Sequence, residues 1–345
     1  MTLRRLVLDL NARSPNWALT PEAAGAVREA APPDWEVVVV SAPTSSDGDG
    51  AATPSDEALE AIGPAEVYVG FGITRPLFLA APGLRWVHSA AAGVRGALFP
   101  EMLDAPVQLT NSAGVHGVPI AEYVVAGLLF LMRGLDIARE QQRERRWDKR
   151  RFVEMAAPLR ELGEARVLIV GAGGLGGEVA RRVAAFGARV TGLRRRPELG
   201  APPGFERVAG LDALDAELPA SDVVVLTAPL TPDTENLLSR ERLALLPAGA
   251  IVVNVARGSL VDEEALGESL AGGRLRGAVL DVFREEPLPA ASPLWGMPQV
   301  VLTPHISPVS PGRFWPRQLD LLLDNWRRYR EGRPLRNLVD KRAGY

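Results

Sequence analysis

A strand-like run, Arg166-Val-Leu-Ile-Val170, passes directly into Gly171-Ala-Gly173-Gly-Leu-Gly176. The helix-compatible stretch Glu178–Phe186 and a second apolar run, Arg189–Leu193, follow. Glycine at these three positions has a physical use. Gly171 permits a tight turn, and Gly173 lets a pyrophosphate approach the backbone. Gly176 allows the helix to pack closely on the strand, with the helix N-terminus turned to the phosphates. The triplet alone is weak, but strand, glycines, helix and second strand come in the order a dinucleotide site requires. The residue that closes the second strand then selects the dinucleotide. Where a carboxylate usually takes the ribose hydroxyls, this chain has Arg194, followed by Arg195 and Arg196. A guanidinium pairs with a 2′-phosphate that a carboxylate would repel, so NADP is the expected cofactor, with NAD possible. The competing reading is a solvated turn in an arginine-rich chain.

Three more segments end later strands, where open α/β sheets place their ligands. They are Ile251-Val-Val-Asn-Val-Ala-Arg257-Gly258, Val279-Leu-Asp281 with Glu286-Pro287 beyond it, and Val300-Val-Leu-Thr-Pro304-His305-Ile. Together they offer a guanidinium, a carboxylate and an imidazole, a set that could bind and reduce a 2-oxo acid. Arginine would hold the substrate carboxylate, histidine would supply the proton, and the carboxylate would keep that histidine protonated. No carboxylate–histidine cluster has metal-ligand spacing, so no metal is expected. No nucleophile-elbow pattern points to a hydrolase.

The elements that must position these residues alternate along the chain. Strand candidates in the first half are Leu6–Leu10, Val37–Val40, Val67–Phe71, Leu84–Ser89 and Val107–Thr110. Pro21–Ala30 and Ser55–Ile62 read as helices, with Thr20 and Pro54–Ser55 as start signals. The second half continues with Arg166–Val170, Arg189–Leu193, Val223–Thr227, Ile251–Val255, Val279–Val282 and Val300–Thr303. Strands that are apolar throughout, separated by helix-length gaps, indicate parallel sheets covered on both faces. The expectation is an α/β protein of two doubly wound parallel-sheet domains. A long helical stretch, Pro119 to Arg146, lies between them, apolar first and then charged from Arg139 to Arg151. The charged part reads as a solvated helix face, with a binding patch as the lesser alternative. Ser41–Ala52, acidic and rich in small residues, reads as a mobile surface loop.

Composition narrows the classes. A chain of 345 residues, 47% hydrophobic and 23% charged, is an ordinary globular protein large enough for two domains. Its net charge of −3 contains no long block of one sign, which disfavours a nucleic-acid partner bound through bulk electrostatics. There is no cysteine, which removes thiolate catalysis, disulfides and cysteine-ligated metals. No apolar run is long enough to span a membrane; the best, Tyr123–Met132, stops at Arg133. Met1–Leu10 is interrupted by Asp9 and reads as a first strand, not a signal core, so the default location is cytoplasmic.

Taken in order, these segments resemble the D-isomer-specific 2-hydroxyacid dehydrogenases over nearly the whole chain, in the manner of glyoxylate/hydroxypyruvate reductases. The resemblance runs through Asn111-Ser-Ala-Gly114 with Ala121-Glu122, the glycine triplet, and Leu226-Thr-Ala-Pro229-Leu-Thr-Pro-Asp-Thr234. It continues through Asn254-Val-Ala-Arg257-Gly258 with Val261-Asp262-Glu263, then Asp281-Val-Phe with Glu286-Pro287, and Thr303-Pro304-His305-Ile306. It implies a Rossmann cofactor domain inserted into a flavodoxin-like substrate domain. The chain would begin in the substrate domain (1–105), form the cofactor domain (106–303) and return for a C-terminal helix (304–345). It implies catalytic roles for Arg257, Glu286 and His305. Arg257 would anchor the substrate, His305 would be the acid/base and Glu286 its partner. It also implies cofactor contacts from Gly171, Gly173, Leu175, Gly176, Arg194, Arg195, Pro229, Thr234 and Ala256, with Asp281 holding the nicotinamide carboxamide. Backbone amides of Ala91, Ala92 and Gly93 would receive the substrate carboxylate. Family members often carry more glycine where this chain has Ala90-Ala91-Ala92, which bears on substrate size. A homodimer built around the helix near residue 123 is implied as well. Some relatives are nucleotide-sensing binding proteins or corepressors, a rival reading disfavoured because the chain ends at Tyr345, soon after the expected final helix.

The three histidines divide. The Pro-His-Ile context singles out His305, while His88 reads as a structural strand residue. His116 reads as a helix-start or supporting residue, with ligand contact as the lesser alternative. Glu285 reads as solvated beside Glu286, and Asp262 and Glu263 as the start of a helix, where negative charge offsets the dipole. Phe314 and Trp315 could wall an apolar pocket or pack a C-terminal helix; both readings stay open.

Overall fold

The structure, a computed structural model, describes residues 3–44, 53–154 and 159–345. It comprises two compact units, Met1–His116 with Val309–Tyr345, and Gly117–Pro308. The first unit holds β1 (Arg4–Asp9), α1 (Pro21–Glu29), β2 (Trp35–Val39), α2 (Asp56–Ile62), β3 (Ala65–Gly70), α3 (Arg75–Ala80), β4 (Trp86–Ser89), α4 (Pro100–Asp104) and β5 (Gln108–Thr110). Its five strands pair in the order β2-β1-β3-β4-β5, all parallel, the flavodoxin-like arrangement. Alternation along each strand sorts side chains to two faces, and both are buried. Leu6, Leu8, Val67, Val69 and Trp86 join one core cluster, while Val7, Tyr68 and Val87 join the other. Thr20 and Ser55 cap α1 and α2 as the sequence predicts, each accepting a backbone N–H three residues on.

The second unit contains α5 (Gly117–Met132), α6 (Leu135–Arg143), α7 (Arg150–Val153), β6 (Arg166–Val170), α8 (Gly174–Ala185), β7 (Arg189–Leu193) and β8 (Arg207–Ala209). It continues with α9 (Leu214–Glu217), β9 (Val223–Leu226), α10 (Arg240–Leu245), β10 (Ile251–Asn254), α11 (Glu263–Ala271), β11 (Gly277–Leu280) and β12 (Val300–Leu302). Its seven strands pair in the order β12-β11-β10-β9-β6-β7-β8, again all parallel. The chain runs outward from β6 to β8 and returns to β9 on the other side of β6. The order therefore reverses between β6 and β9, the place where such sheets bind ligands at the strand C-termini. The last helix, α12 (Phe314–Arg330), belongs to the first unit and lays Phe314, Trp315, Leu321, Leu322 and Trp326 into its core.

Several elements differ from their expected form. The unit boundaries fall at 116/117 and 308/309 instead of 105/106 and 303/304. At the first of them, β5 hydrogen-bonds to β4 and so belongs to the first sheet. β8 has no sequence forecast, because three residues at a sheet edge carry too little periodicity. The expected single helix over Pro119–Arg146 is two helices bent by 68° at Arg133-Gly134. Gly134 adopts φ +68°, and a Cβ there would lie 2.7 Å from Leu159 Cδ2. Arg276 secures this corner, donating to Leu131 O at 2.6 Å and to both Asp136 oxygens at 2.7 and 2.8 Å. Among the described residues no single helix is long and apolar enough to cross a membrane. α5 is a core helix, with Val124, Leu128 and Leu131 packed in the second unit and Gly127 pressed against Val279. Of the predicted loop Ser41–Ala52, residues 45–52 lie outside the described ones, while Thr44 is buried and bridges to Ala12.

Candidate active site

The glycine turn sits where the strand order reverses. Gly171 has φ +112°, and a Cβ on it would lie 2.6 Å from both Thr227 C and Ala228 N, in the loop after β9. A Cβ on Gly176 would overlap the Gly171 carbonyl oxygen, so α8 can approach β6 only through glycine. A Cβ on Gly173 would meet nothing within 4 Å, and α8 begins at the next residue. That open backbone at a helix N-terminus fits a pyrophosphate. Leu175 lies in the first turn of α8 and is half-buried. Across the reversal Pro229 is exposed. Thr234 is buried and closes the loop, its hydroxyl donating to Pro229 O at 2.7 Å and accepting from Thr231 N at 2.8 Å. Arg194 follows the last residue of β7, its backbone N–H held by Ala209 O of β8 and its side chain half-buried; Arg195 is exposed.

His305 and Glu286 lie at the far half of the same sheet. His305 Nδ1 is 2.9 Å from Glu286 Oε2, and Phe283 N donates to Glu286 Oε1 at 2.9 Å. The hydrogen bond to the carboxylate raises the imidazole pKa above that of ordinary histidine, against the opposing effect of burial. Burial disfavours ionised Glu286, but the bonds from His305 and from Phe283 N outweigh it and hold the carboxyl below its usual range. Each partner therefore favours the charged form of the other. His305 itself adopts φ +55°, an uncommon backbone for a residue with a side chain.

Arg257 leaves the end of β10 through a turn that Asn254 staples. Asn254 Nδ2 donates to Arg257 O at 2.8 Å, and Asn254 Oδ1 accepts from the buried Ala256 N at 3.1 Å. Arg257 Nη1 donates to Ala256 O at 2.7 Å. The guanidinium acts electrostatically on both His305 and Glu286, which places all three in one neighbourhood. Gly258 makes this possible, since a Cβ there would overlap the Phe283 carbonyl and the backbones touch directly. Asp281, expected at the nicotinamide carboxamide, is inaccessible to solvent. Its Oδ1 accepts from Thr303 Oγ1 at 2.5 Å and Ile306 N at 2.8 Å, and its Oδ2 from Ser307 N at 2.9 Å.

In the first unit, Ala91, Ala92 and Gly93 follow β4 in a loop held from outside. Ser112 N donates to Ala91 O at 3.0 Å, Asn111 Nδ2 to Ala92 O at 2.8 Å, and Ala91 N to Ser89 Oγ at 3.2 Å. The Ala91 amide is thus occupied inside the loop. Asn337, at φ +54°, donates through Nδ2 to Asn111 O and Ala113 O and so braces the clamp. His88 is fully buried on β4 among Thr110, Ser112 and Gln318, and burial pushes its pKa down to about 3. It is a neutral structural histidine. His116 stacks on Phe314 at 5.5 Å, and Trp17 meets both rings edge-on. Trp315 is buried and donates to Ala18 O at 2.7 Å. Phe314 and Trp315 therefore pack the core of their unit.

Sequence reading passed over Asn254, Thr303, Tyr123 and the clamp residues Asn111, Ser112 and Asn337 as site residues. Asn254, Thr303, Asn111 and Ser112 stood inside the quoted motifs and could have been found there. Tyr123 could not, since its partner Thr303 lies 180 residues away.

A seven-stranded parallel sheet with its glycine turn at the reversal of strand order defines a dinucleotide-binding α/β domain. Comparison with known proteins makes this specific. A family model described as D-isomer specific 2-hydroxyacid dehydrogenase, NAD binding domain, matches residues 125–307. Glyoxylate/hydroxypyruvate reductase A of Salmonella newport (strain SL254) is 35% identical over 276 residues, covering 77% of this chain and 84% of that protein. D-3-phosphoglycerate dehydrogenase of Methanocaldococcus jannaschii is 32% identical over 255 residues, which is 72% of this chain; the match spans only 47% of that longer protein. The crystal structure of a D-isomer specific 2-hydroxyacid dehydrogenase from Xanthobacter autotrophicus Py2, in complex with NADPH and MES, is 32% identical. It aligns with a TM-score of 0.79 over 99% of this chain and 100% of that one. The chain belongs to the D-isomer specific 2-hydroxyacid dehydrogenase family.

Proposed function

We propose that this protein reduces a 2-oxo acid to the D-2-hydroxy acid, reversibly, with NADPH preferred over NADH. The observation that carries the reading is the His305–Glu286 pair, 2.9 Å apart, with the imidazole pKa raised by the carboxylate. Because Nδ1 is engaged by Glu286, Nε2 is the nitrogen that gives its proton to the ketone oxygen and takes it back in the oxidative direction. Arg257 holds the substrate carboxylate and stabilises charge developing on the ketone oxygen. The amides of Ala92 and Gly93 would offer donors to a substrate carboxylate, and Ala91, whose amide is occupied, would contribute through the shape of its loop.

The bound nicotinamide would supply the hydride to C2 of the substrate. Gly171, Gly173, Leu175 and Gly176 would receive its pyrophosphate, with Pro229, Thr234 and Ala256 forming the opposite wall. Arg194 and Arg195 would pair with the 2′-phosphate, in a position where no carboxylate stands. The NADPH complex of the Xanthobacter relative supports that preference. The Salmonella relative makes glyoxylate and hydroxypyruvate the first substrates to try. A homodimer formed on α5 belongs to the same proposal, supported by the half-exposed apolar residues Val125 and Leu129 on that helix; sedimentation would read it.

The test is the initial rate of reduced-cofactor oxidation, NADPH against NADH, over 2-oxo acids from glyoxylate to phenylpyruvate. His305→Ala should lower turnover by about a hundredfold or more with cofactor affinity nearly intact. Loss of cofactor binding alone would contradict its role. Tight nucleotide binding without turnover on the whole panel would favour a nucleotide-sensing protein instead.

A further inference from the structure

His305 stands in a sparsely populated backbone conformation, φ +55°, so something in the fold must hold it there. The restraint is visible and converges on one residue. His305 N lies 2.9 Å from Asp281 O and 3.0 Å from Thr303 O, and the next two amides, Ile306 N and Ser307 N, donate to the two carboxylate oxygens of Asp281. A single buried carboxylate thus pins the chain immediately after the histidine. Thr303 Oγ1 donates to the same Asp281 Oδ1. A hydroxyl has one proton, and Thr303 has given its own to a group that only accepts. The 2.7 Å bond between Thr303 and Tyr123 must then run from the Tyr123 hydroxyl to the Thr303 oxygen. The Tyr123 phenol is well suited to that part, since burial pushes its pKa up to about 12 and keeps it protonated. The direction of the chain is fixed from α5 to the turn after β12.

We propose that Tyr123, Thr303 and Asp281 are positioning residues that hold the His305 backbone, and with it the imidazole, in register with Glu286. This rests on His305 being the acid/base, and it gives Asp281 a task distinct from touching the nicotinamide. The charged groups acting on the imidazole are Glu286, Asp281 and Arg257, so a turn that relaxes changes its alignment with the first of these most directly.

The experiment is an NMR titration of the histidine ring protons in the full-length protein. With only three histidines, His305→Gln assigns the signal, and the buried His88 serves as an internal check on folding. In the wild type His305 should titrate above ordinary histidine. Tyr123→Phe and Thr303→Val should lower its midpoint by about 0.5 pH units or more, and Thr303→Ser should restore it. In the 2-oxo acid assay the same two variants should lose about tenfold in kcat with the cofactor KM unchanged. An unmoved His305 midpoint in a folded Thr303→Val protein would overturn the proposal. So would a rise in the cofactor dissociation constant of Asp281→Asn with the midpoint unchanged, which would assign Asp281 to the cofactor. Failure of the underlying reading looks different, because His305→Ala would then keep its turnover.

Discussion

Replacing Glu286 by Gln tests the acid–base pair with its sign as well as its size. The substitution removes the charge and nearly keeps the shape, leaving one carbonyl oxygen where His305 Nδ1 and Phe283 N each had an acceptor. At about 3 Å, and with an effective dielectric constant of about 40 at a partly open site, the ion pair is worth roughly 3 kcal/mol. Both side chains are more than a third exposed, at 40% and 37%, and solvent screening reduces this to about 1.5 kcal/mol. That corresponds to about one pH unit on His305. In the reductive direction the protonated imidazole is the active form, so activity is full below its pKa and falls as pH rises through it. Glu286→Gln should therefore move that falling limb down by about one pH unit, and cost about tenfold in rate once pH exceeds both midpoints. In the oxidative direction the neutral imidazole is active, and the rising limb should shift to lower pH by the same amount. The assay is kcat/KM across pH in both directions with saturating cofactor. Limbs that stay in place, or that move upward, would refute the assignment of Glu286 as the group that holds the proton on His305.

Three further outcomes follow from the same geometry. Arg194→Ala combined with Arg195→Ala should raise the KM for NADPH by about thirtyfold or more and leave that for NADH within about twofold, because only the phosphate contact is charge-assisted; equal effects would remove the 2′-phosphate role. Gly258→Ala should destabilise the second unit by about 3 kcal/mol in urea unfolding, since its Cβ would overlap the Phe283 carbonyl, whereas Gly296→Ala, with nothing within 4 Å, should be nearly neutral. Asn111→Ala should raise the KM for the 2-oxo acid by about tenfold with the cofactor KM unchanged, because it frees the Ala92 carbonyl and loosens the substrate loop.

The candidate site departs from local conformational preference at several of its residues. His305 and Asn337 take positive φ, and Asp281 is a buried carboxylate with three donors. Such positions cost stability locally and persist only where neighbours over-determine them. Around His305 those neighbours are Asp281, Thr303 and Tyr123. Around Asn337 they are Asn111 and Ala113, whose carbonyls accept from its Nδ2.

Strand existence, the parallel doubly wound class and the dinucleotide turn were legible in the chain alone, because each rests on local signals. Buried parallel strands read as unbroken apolar runs, as in Val223–Leu226 and the Ile-Val-Val that opens Ile251–Asn254. A glycine triplet between strand and helix has few other physical uses. Arg257, Glu286 and His305 were legible as strand-end residues with complementary chemistry. Their meeting was not legible, since it depends on β10, β11 and β12 lying side by side and on Gly258 letting backbones touch. The break of the long helix at Gly134, the edge strand Arg207–Ala209 and the packing of Phe314 on His116 were likewise settled only by contacts between distant segments. So was the part played by Tyr123. A hydrogen bond between residues 180 positions apart leaves no periodicity or spacing in the sequence, and its partner is chosen by the packing of α5 beneath β11 and by nothing nearer.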